Sequence, residues 1–250
     1  VDVLAYLRRI DYQGSREPTA ETLHLLHRAH LLAIPFENLD LARHREIVIE
    51  EERFYEKIVV HGRGGFCYEV NGLFAWLLRQ LGFPVVLLSA RVADAEGRGN
   101  DEFDHLTLQV KASGTWLADV GFGDCFIDPL ALVDGFEQFQ NGATYRLTRS
   151  GERWLLERRS ESDWNLLYDF SLTPRQLSDF TARCGYHQNS PHSHFLGRDI
   201  CSRVTPGGRI TLAGMKLIES DHGRRSERVL TSDQEYQTVL REQFGVVLDT

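Results

Sequence analysis

The stretch RGGFCYEVNGLFAWLLRQLGFPVVLLSARV, residues 63–92, sets a glycine pair and a cysteine in front of a helical period, then switches to strand. Val70, Leu73, Phe74, Leu77, Leu78 and Leu81 follow i, i+3, i+4, i+7, i+8, i+11 spacing, which predicts an amphipathic helix. Gly82 supplies its C-terminal stop and Pro84 follows soon after. Upstream, Gly64 and Gly65 permit a tight turn with positive φ and close backbone approach. Cys67 then falls at or beside the helix N-terminus, where unpaired N–H groups and the dipole favour a thiolate and could hold an oxyanion. The same motif also fits a loop end with a buried, inert cysteine.

Outward from this stretch, the first third of the chain is predicted helical. Pro18-Thr19 opens a helix through Ala33 with Thr19 as N-cap and Glu21 in the first turn. A second helix covers Glu51 to Val60, with Phe54 and Ile58 on one face. From Val85 the elements become short and strand-like: Val85–Val92, His105–Lys111, Thr115–Val120, Thr144–Arg149, Arg153–Arg158 and Trp164–Phe170. Such a run predicts a barrel or sandwich. Pro174–Cys184 is again helical, Ile210–Glu219 and Arg225–Thr231 are strands, and Asp233–Phe244 is a closing helix. The order predicts an α+β fold in three units, residues 1–85, 86–172 and 173–250.

Two of the strands carry chemistry. His105 to Val110 alternates strictly, with Leu106, Leu108 and Val110 on one face and His105 on the other. Ala112-Ser113-Gly114 fits a three-residue hairpin loop with Gly114 left-handed, which pairs Lys111 with Thr115. That register sets Asp119 across from Thr107 and one diagonal step from His105, about 7–8 Å at the backbone and within side-chain reach. Alone, the histidine fits a structural role and the aspartate a turn before Gly121. Together, a thiol at a helix start, an imidazole on one strand and a carboxylate on the next are the parts of a Cys–His–Asp nucleophilic site.

Composition narrows the classes. The chain has 250 residues, 42% of them apolar and 26% charged, and a net charge of −8. It is therefore expected to be folded, and with three lysines and no basic block it carries no nucleic-acid footprint. Cys67, Cys125, Cys184 and Cys201 are too few for a disulfide scaffold. No apolar run approaches the roughly 20 residues of a membrane span, so a reducing cytoplasmic setting is expected.

Pro35-Phe36-Glu37-Asn38-Leu39, Arg63 through Gly72, Asp104-His105-Leu106 and Asp119-Val120-Gly121-Phe122-Gly123 together resemble the arylamine N-acetyltransferases, and the likeness runs from Thr19 to Leu248. The resemblance implies a helical bundle, a β-barrel and an α/β lid, with a triad of Cys67, His105 and Asp119. It also implies a ping-pong reaction, in which the thiolate takes an acetyl group from acetyl-CoA and an arylamine, hydrazine or arylhydroxylamine then receives it. Phe36, Phe122 and Phe195 fall where the family lines its acceptor pocket, though each fits a core aromatic equally. Asp104, Gly121 and Gly123 fall where acetyl-CoA would contact, and Glu37 and Arg63 match an ion pair that braces the cysteine loop. No metal is implied. The acidic Asp94–Asp104 loop departs from the family pattern.

Two other readings compete. A papain- or transglutaminase-like hydrolase could use the same triad, separated only by how well water is excluded. A zinc-binding module could use Cys184, His187, His192, His194 and Cys201, although their spacing is irregular. His24, His27 and His30 are expected on one partly exposed helix face.

Overall fold

The computed structural model describes every residue except 95, 98, 100, 162, 194, 196, 198, 249 and 250. Asp2 and Thr19 cap α1 (Val3–Arg9) and α2 (Ala20–Ala33) through their side-chain oxygens. A two-residue strand β1 (Phe36–Glu37) and short helices α3 (Leu39–Ala42) and α4 (Glu51–Tyr55) follow. The chain then makes a π-helical turn, Glu56–Val60, before α5 (Cys67–Gln80). The expected second helix is thus α-helical for one turn only, and Phe54 and Ile58 are both buried.

Helix α5 differs from its expected amphipathic form. Every residue from Cys67 to Leu78 is buried, because helices pack on one side and strands on the other. It ends as expected, with Gly82 at φ +87 after Leu81.

Strands β2 (Val85–Val92), β3 (His105–Lys111), β4 (Thr115–Ala118), β5 (Leu130–Ala131), β6 (Glu137–Gln140), β7 (Ala143–Ser150), β8 (Arg153–Ser160) and β9 (Asp163–Ser171) form one antiparallel sheet. Their order is β5-β4-β3-β2-β9-β8-β7-β6, a nearly closed barrel. At the seam between β5 and β6 side chains take the place of a ladder. The Gln138 carboxamide accepts from Ala131 N–H at 2.7 Å and donates to Ala131 C=O at 3.2 Å. Gln140 does the same for Asp128, at 2.7 and 3.0 Å. These bonds satisfy edge groups that closure would otherwise bury unpaired.

After β9, a 3₁₀ turn (Leu177–Phe180) leads into α6 (Thr181–Asn189), a few residues later than the expected helix. The second sheet has order β1-β10-β11-β12-β13, from β1 and β10 (Ile200–Thr205), β11 (Gly208–Ala213), β12 (Lys216–Asp221) and β13 (Arg224–Val229). The single strand expected over Ile210–Glu219 is two, folded back at Gly214, whose φ is +54. Ser232 caps the last helix, α7 (Asp233–Phe244). β1 lies in the first third of the chain yet pairs Phe36 with Ser202, and this pairing carries the second sheet to the start of α5.

Candidate active site

Cys67 is the first residue of α5, and local sterics fix it there. A Cβ on Gly64 would lie 2.2 Å from the Pro35 carbonyl oxygen, and one on Gly65 2.9 Å from Glu69 Cβ. Neither glycine has positive φ. Their role is close approach of the loop to β1, where Glu37 N–H donates to Gly65 C=O at 2.9 Å.

Buried charges brace the loop. Arg63 reaches Glu37 at 2.8 Å and Asp40 at 2.9 Å, Lys57 reaches Asp40 at 2.7 Å and Glu69 at 2.9 Å, and Glu69 accepts Phe66 N–H at 2.7 Å. The Glu37–Arg63 pair is therefore one link of a five-residue chain.

The hairpin register is the one expected from the loop length. Lys111 pairs with Thr115 and Leu108 with Ala118, so Asp119 continues opposite Thr107. Within the loop, Ser113 takes the left-handed conformation at φ +48 and Gly114 sits at +154. His105 and Asp119 meet: Nε2 lies 2.6 Å from Asp119 Oδ2, with the two side chains 3% and 0% exposed.

Four donors converge on the Asp119 carboxylate. Oδ2 accepts from His105 and from Tyr168 O–H at 2.9 Å, and Oδ1 accepts from Asn71 Nδ2 and Gly121 N–H, both at 2.9 Å. Burial pushes the Asp119 carboxyl up, but the neighbouring His105 and these bonds outweigh it and hold the group below the usual carboxylate range. Burial pushes the Cys67 thiol well up, with Cys184, Asp104 and Asp119 adding to this and the Tyr68 N–H opposing it. The thiolate expected from the helix start therefore meets an opposing force that the Tyr68 N–H offsets only in part.

Asn71 and His27 are structural members of this site that sequence reasoning missed. Asn71 lies one turn beyond Cys67; it donates to Leu106 C=O at 2.7 Å as well as to Asp119, and accepts Val120 N–H at 2.9 Å. One carboxamide thus joins the cysteine helix to both strands. The turn after Asp119 lies so close to α5 that a Cβ on Gly121 would sit 2.6 Å from Asn71 Nδ2 and 3.0 Å from Cys67 Cα. His27 is fully buried, donates from Nδ1 to Ile127 C=O at 2.8 Å, and accepts Asp119 N–H at Nε2 at 3.1 Å. Burial pushes its pKa down to about 4, which fits a neutral ring with one donor and one acceptor. His30 is buried too and bonds Tyr6 O–H at 2.8 Å, and only His24 is partly exposed. The expected exposed histidine face is thus corrected. Leu23, Leu26, His27 and His30 share one helical stripe, a signal the sequence contained.

A pocket of about 560 Å³ opens on Cys67 and His105. Asp119 lies behind His105, away from it. Phe36, Phe122 and Phe195 line the pocket and also pack on the interior, Phe122 at 5.3 Å from the His105 ring and Phe195 at 4.7 Å from Phe66. Asp104, Gly121 and Gly123 line it as well. The Asp104 carboxylate is already engaged, by Arg183 at 2.6 Å and His187 at 3.2 Å. Of the five zinc-ligand candidates, His194 lies outside the described residues. Among the described residues no three His, Cys, Asp or Glu side chains form a metal-binding group, and no helix is long and apolar enough to cross a membrane.

A family model described as N-acetyltransferase matches residues 19–250. An Escherichia coli (strain K12) arylamine N-acetyltransferase is 34% identical, covering 98% of this chain and 88% of its own. Among solved structures, the Salmonella typhimurium arylamine N-acetyltransferase aligns with TM-score 0.94 at 34% identity, over 99% of this chain and 92% of that one. The Mycobacterium marinum arylamine N-acetyltransferase in complex with CoA aligns at 0.91 and 32%, over 98% and 93%. A Bacillus cereus arylamine N-acetyltransferase described as having a unique Cys-His-Glu catalytic triad aligns at 0.90 and 25%, over 99% and 100%. In this chain the carboxylate bonded to the pocket histidine is an aspartate.

Proposed function

The chain belongs to the arylamine N-acetyltransferase family, and from that premise we propose that Cys67, His105 and Asp119 catalyse ping-pong acetyl transfer from acetyl-CoA to an arylamine, hydrazine or arylhydroxylamine. The observation that carries this reading is the 2.6 Å contact of His105 Nε2 with the buried Asp119, at a pocket that His105 shares with Cys67. With Nε2 held by the carboxylate, Nδ1 is the ring nitrogen left to take the thiol proton.

In the first half-reaction Cys67 Sγ gives its proton to His105 and attacks the thioester carbonyl. A bond from Cys67 sulfur to carbon forms, the carbon–sulfur bond to CoA breaks, and CoA leaves as a thiol carrying the proton from His105. In the second, the amine nitrogen attacks acetyl-Cys67, the new C–N bond replaces C–S, and the amine proton passes through His105 back to sulfur. Backbone N–H groups at the start of α5 stabilise the oxyanion in both steps. Asp119 holds the ring and offsets the imidazolium charge while that proton is on His105.

Phe36, Phe122 and Phe195 are assigned to the acceptor's ring, and Asp104, Gly121 and Gly123 to the wall passed by acetyl-CoA. Residues 1–85, 86–172 and 173–250 act in this scheme as helical bundle, barrel and lid. A cytoplasmic setting is part of the reading, supported by four unbridged, buried cysteines.

Acetyl-CoA supplied without acceptor is expected to add one acetyl group, on Cys67, with one equivalent of CoA released. Intact mass and peptide mapping read both. An acetyl group on Cys125, Cys184 or Cys201 refutes the assignment, and continuous CoA release without amine points to hydrolysis instead.

A further inference from the structure

The acidic loop that departs from the family pattern ends against the reactive pair. Asp104 is its last residue and stands immediately before His105. Asp104, His105 and Cys67 line the same pocket. The loop backbone is held from α5, where Tyr68 O–H donates to the Phe103 and Asp104 carbonyls at 2.9 and 3.3 Å. The Asp104 carboxylate is held from α6. Arg183 donates to Asp104 Oδ1 from Nε at 3.0 Å and from Nη2 at 2.6 Å, and to Asp101 Oδ2 from Nη1 at 2.8 Å. His187, four residues on along the same helix face, brings Nε2 to 3.2 Å from Asp104 Oδ1. Its ring also packs on Phe66 and Tyr68, the residues on either side of Cys67, with centroids 5.8 and 6.3 Å away.

This contact is largely out of water. The side chains of Arg183 and Asp104 are 15% and 7% exposed. Burial pushes the Asp104 carboxyl up, but the His187 and Arg183 contacts outweigh it and hold the group below the usual carboxylate range. Asp104 is therefore an anion at neutral pH, and a second anion in the same pocket is disfavoured beside it. It is one of the groups that push the Cys67 thiol up, after burial and Cys184 and ahead of Asp119. The titratable groups around the thiol are thus Asp104, His105 and Asp119 from the barrel side and Cys184 from α6. Those facing Asp104 are Tyr68 and Cys67 from α5 and Arg183 and His187 from α6.

We propose that Arg183 is a positioning residue of the site: from α6 it fixes the Asp104 carboxylate and cancels its charge, so that the acidic loop borders the pocket without suppressing the Cys67 thiolate. The proposal rests on the acetyl-transfer reading above, in which Cys67 gives up its proton. It gives α6 a part in the reactivity of a thiol carried by α5. Its consequence is a pair of shifts with opposite signs. Without the guanidinium the carboxylate stands uncompensated, and without the carboxylate the guanidinium does.

Iodoacetamide alkylation of Cys67, followed by peptide mapping across pH, reads the thiol without an acetyl donor. The midpoint is expected to rise by about 0.5–1.5 pH units in Arg183→Gln and to fall by a similar amount in Asp104→Asn. The double variant, in which both charges are gone, is expected to return close to the wild-type midpoint. Arg183→Lys keeps the charge without the fork and is expected to lie between wild type and Arg183→Gln. Single-turnover acetylation near pH 7 is expected to slow about 3- to 30-fold in Arg183→Gln, in step with the lost thiolate. A role in bracing the fold alone would move Arg183→Gln and Asp104→Asn in one direction, because both break the same ion pair. Shifts of one sign, or none in either variant, overturn the proposal. If Arg183→Gln does not fold, Asp104→Asn carries the test, and an unchanged or raised midpoint there overturns it. If acetyl-CoA leaves wild-type Cys67 unmodified while the midpoints move as expected, the acetyl-transfer reading falls and the charge coupling stands.

Discussion

Replacing Asp119 by asparagine tests the centre of the site with almost no change in shape. The carboxylate accepts four hydrogen bonds: His105 and Tyr168 on one oxygen, Asn71 and Gly121 on the other. None of the bonds requires Asp119 to donate. An asparagine has one oxygen, so whichever pair of donors keeps it, the other pair faces an NH₂ group. If the amide points toward His105, the ring must accept at Nε2 and carry its proton on Nδ1, the nitrogen meant to receive the thiol proton. If it points toward Asn71 and Gly121, the link between α5 and the turn is broken. Each charge-assisted bond lost is worth about 1.5–3 kcal/mol, so with one pair lost the folded state is expected to lose about 3–6 kcal/mol.

The loss in turnover is expected to be separable. The corresponding change in a serine triad costs about 10⁴ in rate. A thiol leans less on its orienter, so Asp119→Asn is expected to lose on the order of 10²–10⁴ in acetylation rate, roughly 3–5 kcal/mol of barrier. Single-turnover acetylation by intact mass, measured beside urea unfolding, reads both effects. A folded Asp119→Asn protein acetylated at close to the wild-type rate would falsify the role given to this carboxylate.

Two further outcomes follow from the buried site. His27 falls from 6.5 to about 4 on folding, so the unfolded chain binds the extra proton between those values. Stability therefore rises with pH across that window, and about 3 kcal/mol is lost on acidifying from 6.5 to 4. His27→Gln is expected to flatten the dependence by about that amount, and an identical pH profile of unfolding in both proteins would count against it. At Cys67, burial and the Asp104 and Asp119 carboxylates push the thiol up, and His105 is the group proposed to oppose them. Iodoacetamide alkylation of Cys67 is expected to shift its midpoint upward by at least about one pH unit in His105→Gln. Equal midpoints would remove the imidazole from the thiol's chemistry.

Much of the fold was written in local periodicity. The bounds of β2, β3 and α7 were legible because alternation and the 3.6-residue repeat reflect faces that must be buried or exposed. The register that joins His105 to Asp119 followed from the length of one three-residue loop. Cys67 at the start of α5 followed from its place before an apolar helical period. These features depend on residues near one another in sequence, where the backbone's few allowed conformations limit the outcomes.

Other features needed the tertiary structure. β1 has only two residues, and its strand conformation depends on Ser202 and Cys201 from the far end of the chain. Gly64 and Gly65 looked like a positive-φ turn, but the pressure on them comes from Pro35 and Glu69 packed against their backbone. His27 was expected on a partly exposed face, although its spacing from Leu23, Leu26 and His30 marks a buried stripe, and the turn at Asp119 and the Ile127 carbonyl satisfy its ring there. Arg209 carried no motif at all. Its place in the pocket comes from β10 and β11 pairing and turning one face toward Cys67. The physical reason is the same in each case: a polar group is buried where its partner is, and the partner's position is set by packing between distant segments rather than by local conformation.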